Sequence, residues 1–324
     1  MSQNNATSLL EKLGFPASRY VRGRASVADM FRQGKRCGIY LLHCSNAEYY
    51  AGQATDVTRR YVQHRKTHAD IERISFKRVR RDRLDIEERR VIWALEEAGI
   101  YLRNIALTSI PHGASDFDLI MAPEEQERWL VDPQHRDVGG ERVEDCDLRR
   151  RYRSKYQRFK RMPYAAEVIK VLREYVRTGI PAVRRGEVSF WSCSCLPAYS
   201  NPRSNIYSRV NVNWQEVFTA YTSGEELFFS WHLARSSLEK GFDHGLSGLV
   251  RQYPAVKLSD HRYEPGGQDQ VNLSVRGIGP VLDLIRDKSI LSAVRLFNCR
   301  LMRKGPCAYS RYHSLDLADN LVSI

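Results

Sequence analysis

The stretch CGIYLLHCSNAEYYAGQATDVTRRYVQHRKTH, residues 37–68, decides the fold of the N-terminal part of the chain. CGIYLLHC (37–44) is an apolar run of strand length and reads as a buried strand. AEYYAGQA (47–54) reads as a second strand, and the short Ser45-Asn46 step between them suits a hairpin turn. Thr55 and Asp56 both have the short side-chain oxygen that accepts first-turn N–H groups, so VTRRYVQHRKTH is expected to start there as a helix and run through His68. Strand alternation puts Gly38, Tyr40 and Leu42 on one face of the first strand, and Tyr50 and Gly52 on one face of the second. The two tyrosines are therefore expected to converge across the hairpin. Arg60 and His64, four residues apart, share one face of the helix.

Working outward, a helix is expected around Ser8–Leu13 and another around Val27–Gln33. On the other side, a basic and poorly periodic stretch (Arg73–Arg83) leads to a second clear helix. Asp85-Ile86-Glu87-Glu88 resembles a capping box, Val91, Ile92, Leu95 and Ala98 form an apolar stripe, and Gly99 stands where a C′ glycine belongs. IYLRNIAL (100–107) then reads as a strand. The order β-β-α-α-β predicts a small α+β domain. Glu88 lies on the same face as that stripe, where a carboxylate is costly unless paired or bound to a metal, which singles it out over Glu87.

The whole chain has 324 residues, enough for two domains. It carries 51 Lys+Arg against 38 Asp+Glu, a net charge of +13, and such an excess points to a polyanionic partner. The charge is segregated. Residues 113–147 hold eleven acids and three bases, whereas LRRRYRSKYQRFKR (148–161) holds eight bases and no acid. This shift reads as an acidic linker followed by a basic helix. Leu148, Tyr152, Tyr156 and Phe159 mark that helix's packed face, leaving Arg150, Arg153 and Arg158 for a phosphate backbone. No run reaches the ~18 apolar residues of a membrane span, and MSQNNATSLLEKLGF lacks the features of a signal peptide. The expected setting is cytoplasmic, nucleoid-associated if the source is bacterial, with no membrane partner. Seven scattered cysteines do not make a disulfide framework. Zinc on Cys193, Cys195, Cys299 and Cys307 is conceivable, but their spacings favour buried, reduced thiols.

In the second half, EVIKVLREYVR (167–177) has helical spacing. EVSFWSCS, NIYSRVNVN, ELFFSWHLA and QVNLSVR read as strands, with WQEVFTAY separating two of them. Two helices follow at about 281–286 and 290–303. RGIGPVLDLI (276–285) reads as a turn before a helix. His232, His244 and His261 lack partners at metal-ligand spacing and read as structural.

GIY at 38–40, YAG at 50–52, the helix bearing Arg60 and His64, Glu88 with Ile92, and LRN ending at Asn104 together resemble the GIY-YIG endonucleases over about residues 36–107. YAG replaces the family's YIG, and Gln53 stands where the repair branch often has a lysine, which leaves the branch open. The resemblance implies phosphodiester hydrolysis. Tyr40 accepts or shuttles the proton of the attacking water, with His64 as the alternative base, and Tyr50 holds the phosphate or relays protons. Arg60 clamps the phosphoryl group, and Glu88 binds one Mg²⁺, for which Mn²⁺ can substitute. Gly52 lets the phosphate approach the backbone, Gln53 faces substrate, and Asn104 supports the site through polar contacts or caps an edge strand. The expected organisation is a helical extension (1–35), a nuclease domain (36–112), the acidic linker (113–147), and the basic helix with an α+β substrate-recognition domain (148–324). The expected function is a Mg²⁺-dependent DNA endonuclease of restriction, defence, homing or repair. The alternatives are an RNA-cutting enzyme and a non-catalytic nucleic-acid-binding protein that keeps the nuclease fold.

Overall fold

A computed structural model describes residues 3–105, 107–135, 139–198 and 204–322. The chain is α+β and divides into two compact units, Met1–Gly113 and Ala114–Ile324. Among the described residues no helix is long and apolar enough to cross a membrane.

The first unit is built on an antiparallel sheet of order β1-β4-β2-β3. Its elements are α1 (Gln3–Lys12), β1 (Arg19–Tyr20), β2 (Gly38–Cys44), β3 (Tyr49–Ala54), α2 (Val57–Thr67), β4 (Ile71–Arg78) and α3 (Leu84–Glu97). β2 is apolar on both faces because both are covered. Ile39 and Leu41 pack with Leu10, Leu13, Phe15, Val91, Ile92 and Leu95, while Tyr40 and Leu42 pack with Val57, Tyr61, Val21, Val27 and Phe31. Residues 1–35 thus supply both layers and are part of this unit. The helix expected at 27–33 is a single 3₁₀ turn, Ala28–Met30. Asp56 caps α2 as expected, its Oδ1 accepting from the N–H groups of Thr58 and Arg59.

Three local expectations are corrected. β4 overlaps the first half of the stretch that looked aperiodic, so the order is β-β-α-β-α. IERISFKR has charges near both ends, yet Ile74 and Phe76 alternate onto the buried face against β2. The described residues of 100–107 form no strand; Leu102 makes an isolated parallel bridge with Tyr49, and Ala106 lies outside the described residues. Finally, α3 starts at Leu84, so Asp85 is not its cap. At its other end, Gly99 has φ +70° and Ile100 N–H donates to Leu95 O, the left-handed stop that the glycine announced.

The second unit comprises α4 (Pro123–Val131), α5 (Cys146–Lys160), α6 (Ala165–Gly179), β5 (Trp191–Cys195), β6 (Ser204–Val212), β7 (Gln215–Ser223), β8 (Glu226–Leu233), α7 (Arg235–Gly241), α8 (Leu246–Gln252), β9 (Lys257–Ser259), β10 (Val271–Arg276), α9 (Ile278–Arg286), α10 (Lys288–Arg303) and α11 (Leu315–Val322). Its antiparallel sheet has the order β5-β6-β7-β8-β10-β9. WQEVFTAY, read as a separator, supplies most of β7. A register shift between Val210 and Asn211, where β6 pairs with β7, breaks the period-two pattern that would have revealed it.

The acidic segment is no linker. Phe117, Met121 and Trp129 are buried in the core of the second unit. Arg142 clamps the fully buried Glu187 through two hydrogen bonds of 2.8 and 2.6 Å, and His313 Nε2 lies 3.0 Å from the same carboxylate. Arg295, on α10 and 1 % exposed, stacks over Trp129 and donates to the carbonyls of Trp129, Asp132, Pro133, His135 and Thr178. One buried cation therefore gathers the end of α4. Leu148, Tyr156 and Phe159 of α5 are buried as its period required, and Tyr152 OH donates to Arg311 O. Replacing Arg295 with Leu takes the guanidinium donor from five carbonyls, of which Asp132 O keeps the N–H of His135. The expected cost is about 3 kcal/mol or more, since each buried acceptor left unsatisfied costs about 1–3 kcal/mol. This lowers the melting temperature by about 6 °C or more, measured by calorimetry.

Candidate active site

The residues singled out in the N-terminal stretch meet on and around β3. In the β2–β3 ladder Tyr40 faces Gly52 and Leu42 faces Tyr50. The Tyr40 and Tyr50 rings stack with centroids 6.3 Å apart. Gly52 is required here by space. A Cβ at this position would stand 2.5 Å from Tyr40 Oη and 2.7 Å from Cζ, so only glycine lets the ring lie flat on the strand.

The face of α2 that carries His64 brings its ring to this pair. Tyr40 Oη and His64 Nε2 are 2.7 Å apart, and the His64 ring lies 4.4 Å from that of Tyr50. Burial, reinforced by the Tyr50 oxygen, raises the Tyr40 pKa well above that of a free phenol. Burial and the neighbouring Arg60 lower His64 to about 4. At neutral pH both groups are therefore uncharged. With its proton on Nδ1, His64 accepts from the phenol at Nε2, which leaves the phenol oxygen free to accept from Arg60. Arg60 itself is exposed, donates to Gln63 Oε1 at 2.9 Å, and is raised in pKa by its hydrogen bond to Tyr40.

Glu88 approaches from α3, on the opposite side of the sheet. Its Oε1 accepts from Gln53 N–H at 3.1 Å and its Oε2 from Gln53 Nε2 at 2.9 Å; the same side-chain amide donates to Asp85 Oδ1 at 2.6 Å. Burial raises its pKa, against these hydrogen bonds. Glu87 is committed elsewhere, to Lys77 at 2.9 Å and Arg90 at 3.1 Å. Asn104 is buried and holds the strand directly: Oδ1 accepts from Ala51 N–H at 2.9 Å and Nδ2 donates to Ala51 O at 2.6 Å. It caps the edge strand at Ala51, between Tyr50 and Gly52.

Two contributors do not stand out in the sequence. His68, one helical turn after His64, stacks on it at 5.8 Å and is fixed from behind by Arg103, itself bidentate to Asp70 and bonded to Glu48. Asp85, expected at a helix cap, instead shares Gln53 with Glu88. The His-x-x-x-His spacing was the available signal for the first; nothing local marked the second. Clefts of about 680 and 440 Å³ in this unit lie elsewhere, and neither is lined by Tyr40, Tyr50, Arg60, His64 or Glu88.

Arg150, Arg153 and Arg158 belong to the second unit. All three are exposed, Arg150 within 3.2 Å of Asp147 in an exposed pair. Arg149, by contrast, is tied to Asp316 and Asp319. The thiols of Cys193, Cys195, Cys299 and Cys307 are buried and take different neighbours: Ser314 for the first two, Gln126 for Cys299, and Ser192 with Asn211 for Cys307. Among the described residues no set of three His, Cys, Asp or Glu is placed to hold a metal ion. Compared with protein-family models, curated proteins and solved structures, the chain matches none of them.

The histidine shifts make a pH prediction. His64 and His43 are both held near 4 by burial, against about 6.5 when unfolded. Between these values the unfolded chain binds protons that the folded unit refuses. The stability this provides is complete above about pH 6.5 and is lost as pH falls toward 4. Melting curves at pH 7, 5.5 and 4.5 should show a progressive fall, flattened in His64→Gln.

Proposed function

We propose that the first unit is a Mg²⁺-dependent phosphodiester hydrolase acting on DNA, of the GIY-YIG kind. The observation that supports this most is the hydrogen-bonded, uncharged Tyr40–His64 pair beside Arg60, with Glu88 reaching the same edge strand. The glycine at residue 52 meets a packing need of the ring, whereas the uncharged imidazole held at its hydroxyl is the feature that suits a proton relay.

In this reading water loses its proton to the Tyr40 oxygen as the phenol passes its own to His64 Nε2. The relay answers the difficulty of a phenol whose pKa is raised, since no free phenolate accumulates. The arriving phosphodiester brings negative charge that opposes the Arg60 field, and so raises the basicity of His64 when it is needed. Hydroxide attacks phosphorus, the P–O3′ bond breaks, and the leaving oxygen takes a proton from solvent. Arg60 meets the charge that grows on the phosphoryl oxygens, as a planar donor fork does well. Glu88 suits the metal: it is a partly buried carboxylate held by neutral donors, with Asp85 one amide away, and Mg²⁺ takes one or two carboxylates and keeps several waters. Bound there, the ion would supply Lewis acidity toward the phosphate. Arg150, Arg153 and Arg158 on α5 serve as sequence-independent phosphate contacts.

Incubating the purified chain with plasmid, single-stranded DNA and RNA, with Mg²⁺, Mn²⁺ or EDTA, tests the reading. DNA should be cut with either metal and spared in EDTA; preferential cutting of RNA would move the substrate class. Tyr40→Phe keeps the ring, so melting should barely change while single-turnover cleavage falls about 10²–10⁴-fold. Glu88→Gln should abolish cleavage with DNA binding retained. Wild-type rates in both variants would sink the assignment.

Changing Arg150, Arg153 and Arg158 together to Gln should weaken binding equally on all sequences. The salt slope should fall by up to ~0.9 for each phosphate that is no longer neutralised. An unchanged slope in a gel-shift series would reduce α5 to a solvated face.

A further inference from the structure

The second sheet carries a cleft that the proposed hydrolysis does not use. Alternation along its strands sends Phe218, Phe229, Trp231 and Leu273 into the core, whereas Arg209, Glu216, Ser230, His232 and Asn272 line a polar cleft of about 370 Å³. A second compartment of about 270 Å³ shares Arg209 and Glu216 and adds Lys155, Asn211 and Tyr309. The β6–β7 register shifts on both sides of Arg209, between Ile206 and Ser208 and between Val210 and Asn211. Bulges re-aim side chains, and here Arg209 meets Glu216 at 2.9 Å. Among the described residues the buried Arg209 Nε donates no hydrogen bond. Tyr263 closes one end, edge-on to His232 and His261, and its hydroxyl bonds Glu216, whose carboxylate has further lone pairs to offer. The β6–β7 hairpin also raises Trp214, 66 % exposed, two residues from Glu216.

Carboxylate and guanidinium side by side, half-buried among flat aromatic rings, form a specific pattern: two adjacent acceptors next to a donor. The exposed edge of an unpaired guanine is its complement, with N1–H and N2–H donors beside the O6 acceptor. In a duplex that edge is occupied, so the base must be single-stranded or extruded. Tyr309 and Trp214 offer ring faces for stacking, and Lys155 offers charge to a phosphate.

We propose that this cleft binds one unpaired guanine nucleotide of a nucleic acid strand, with Glu216 accepting from N1–H and N2–H, Arg209 donating to O6 and Tyr309 stacking on the base. The choice of polymer rests on the proposed nucleic-acid function; cleavage is not required. The two are tested separately, because binding is measured in EDTA.

Fluorescein-labelled dT oligomers with and without one central dG are titrated into the full chain and followed by anisotropy. The dG oligomer should bind at least tenfold more tightly, and Glu216→Gln should erase that preference at an unchanged melting temperature. If Glu216→Gln does not fold, Tyr309→Ala serves, and should weaken the dG oligomer tenfold or more. Equal affinity for both oligomers, a stronger preference for a central dA or dC, or a dG preference that survives Glu216→Gln and Tyr309→Ala overturns the proposal. Absence of Mg²⁺-dependent cutting together with an intact dG preference would remove the nuclease reading and leave this one standing.

Discussion

The candidate site depends on a steric fact, the seating of the Tyr40 ring on the empty position at Gly52. Any side chain at residue 52 would occupy the place of the phenol. Because the place is free, Tyr40 can be 1 % exposed and still reach His64 at 2.7 Å. The electrostatics follow from the packing: the same burial that protects the phenol from ionising keeps the imidazole from protonating. The result is a neutral hydrogen-bonded pair, set against the Arg60 cation, in which a proton can shift over a short distance.

β3 shows how the fold handles an exposed edge and builds chemistry with it. This strand ends the sheet, and Tyr49, Ala51 and Gln53 turn their backbone groups outward. None of the three is left bare. Tyr49 is bridged by the backbone of Tyr101 and Arg103, Ala51 by the side chain of Asn104, and Gln53 by Glu88. An edge that would otherwise template pairing with another chain is closed, and one of the closing groups is the proposed metal-binding carboxylate. The strand also separates the groups of the proposed site, with the Tyr40–His64 pair on the α2 side and Glu88 on the α3 side.

In the second unit, a buried and a half-buried arginine organise what local charge misrepresents. The acidic composition of residues 113–147 suggests a solvated linker, yet Arg295 gathers four of its carbonyls and Arg142 pins it to Glu187. Composition measures a segment's own charge and says nothing of a cation supplied from 160 residues away, as Arg295 is to His135. His232 and His261, which lack ligand spacing in the sequence, meet across β8 and the loop before β10 at 6.0 Å. Their adjacency is a product of sheet register.

Local chemistry was enough to read β2, β3, α2 and α3 in the chain itself. An apolar run, a turn, the Asp56 cap and the Gly99 stop each act within a few residues. Spacing alone also put Arg60 with His64, and Glu88 with the buried stripe of α3. β4 and β7 were hidden because charges at strand ends and a bulge break the period-two signal that reveals a strand. Tertiary structure decided the rest: that Gly52 makes room for Tyr40, that Asp85 serves Gln53 and not its own helix, that Asn104 braces β3, and that Arg209 faces Glu216. Each of these is a contact between residues far apart in the chain or on different elements, and such contacts are set by packing and register, which no local pattern encodes.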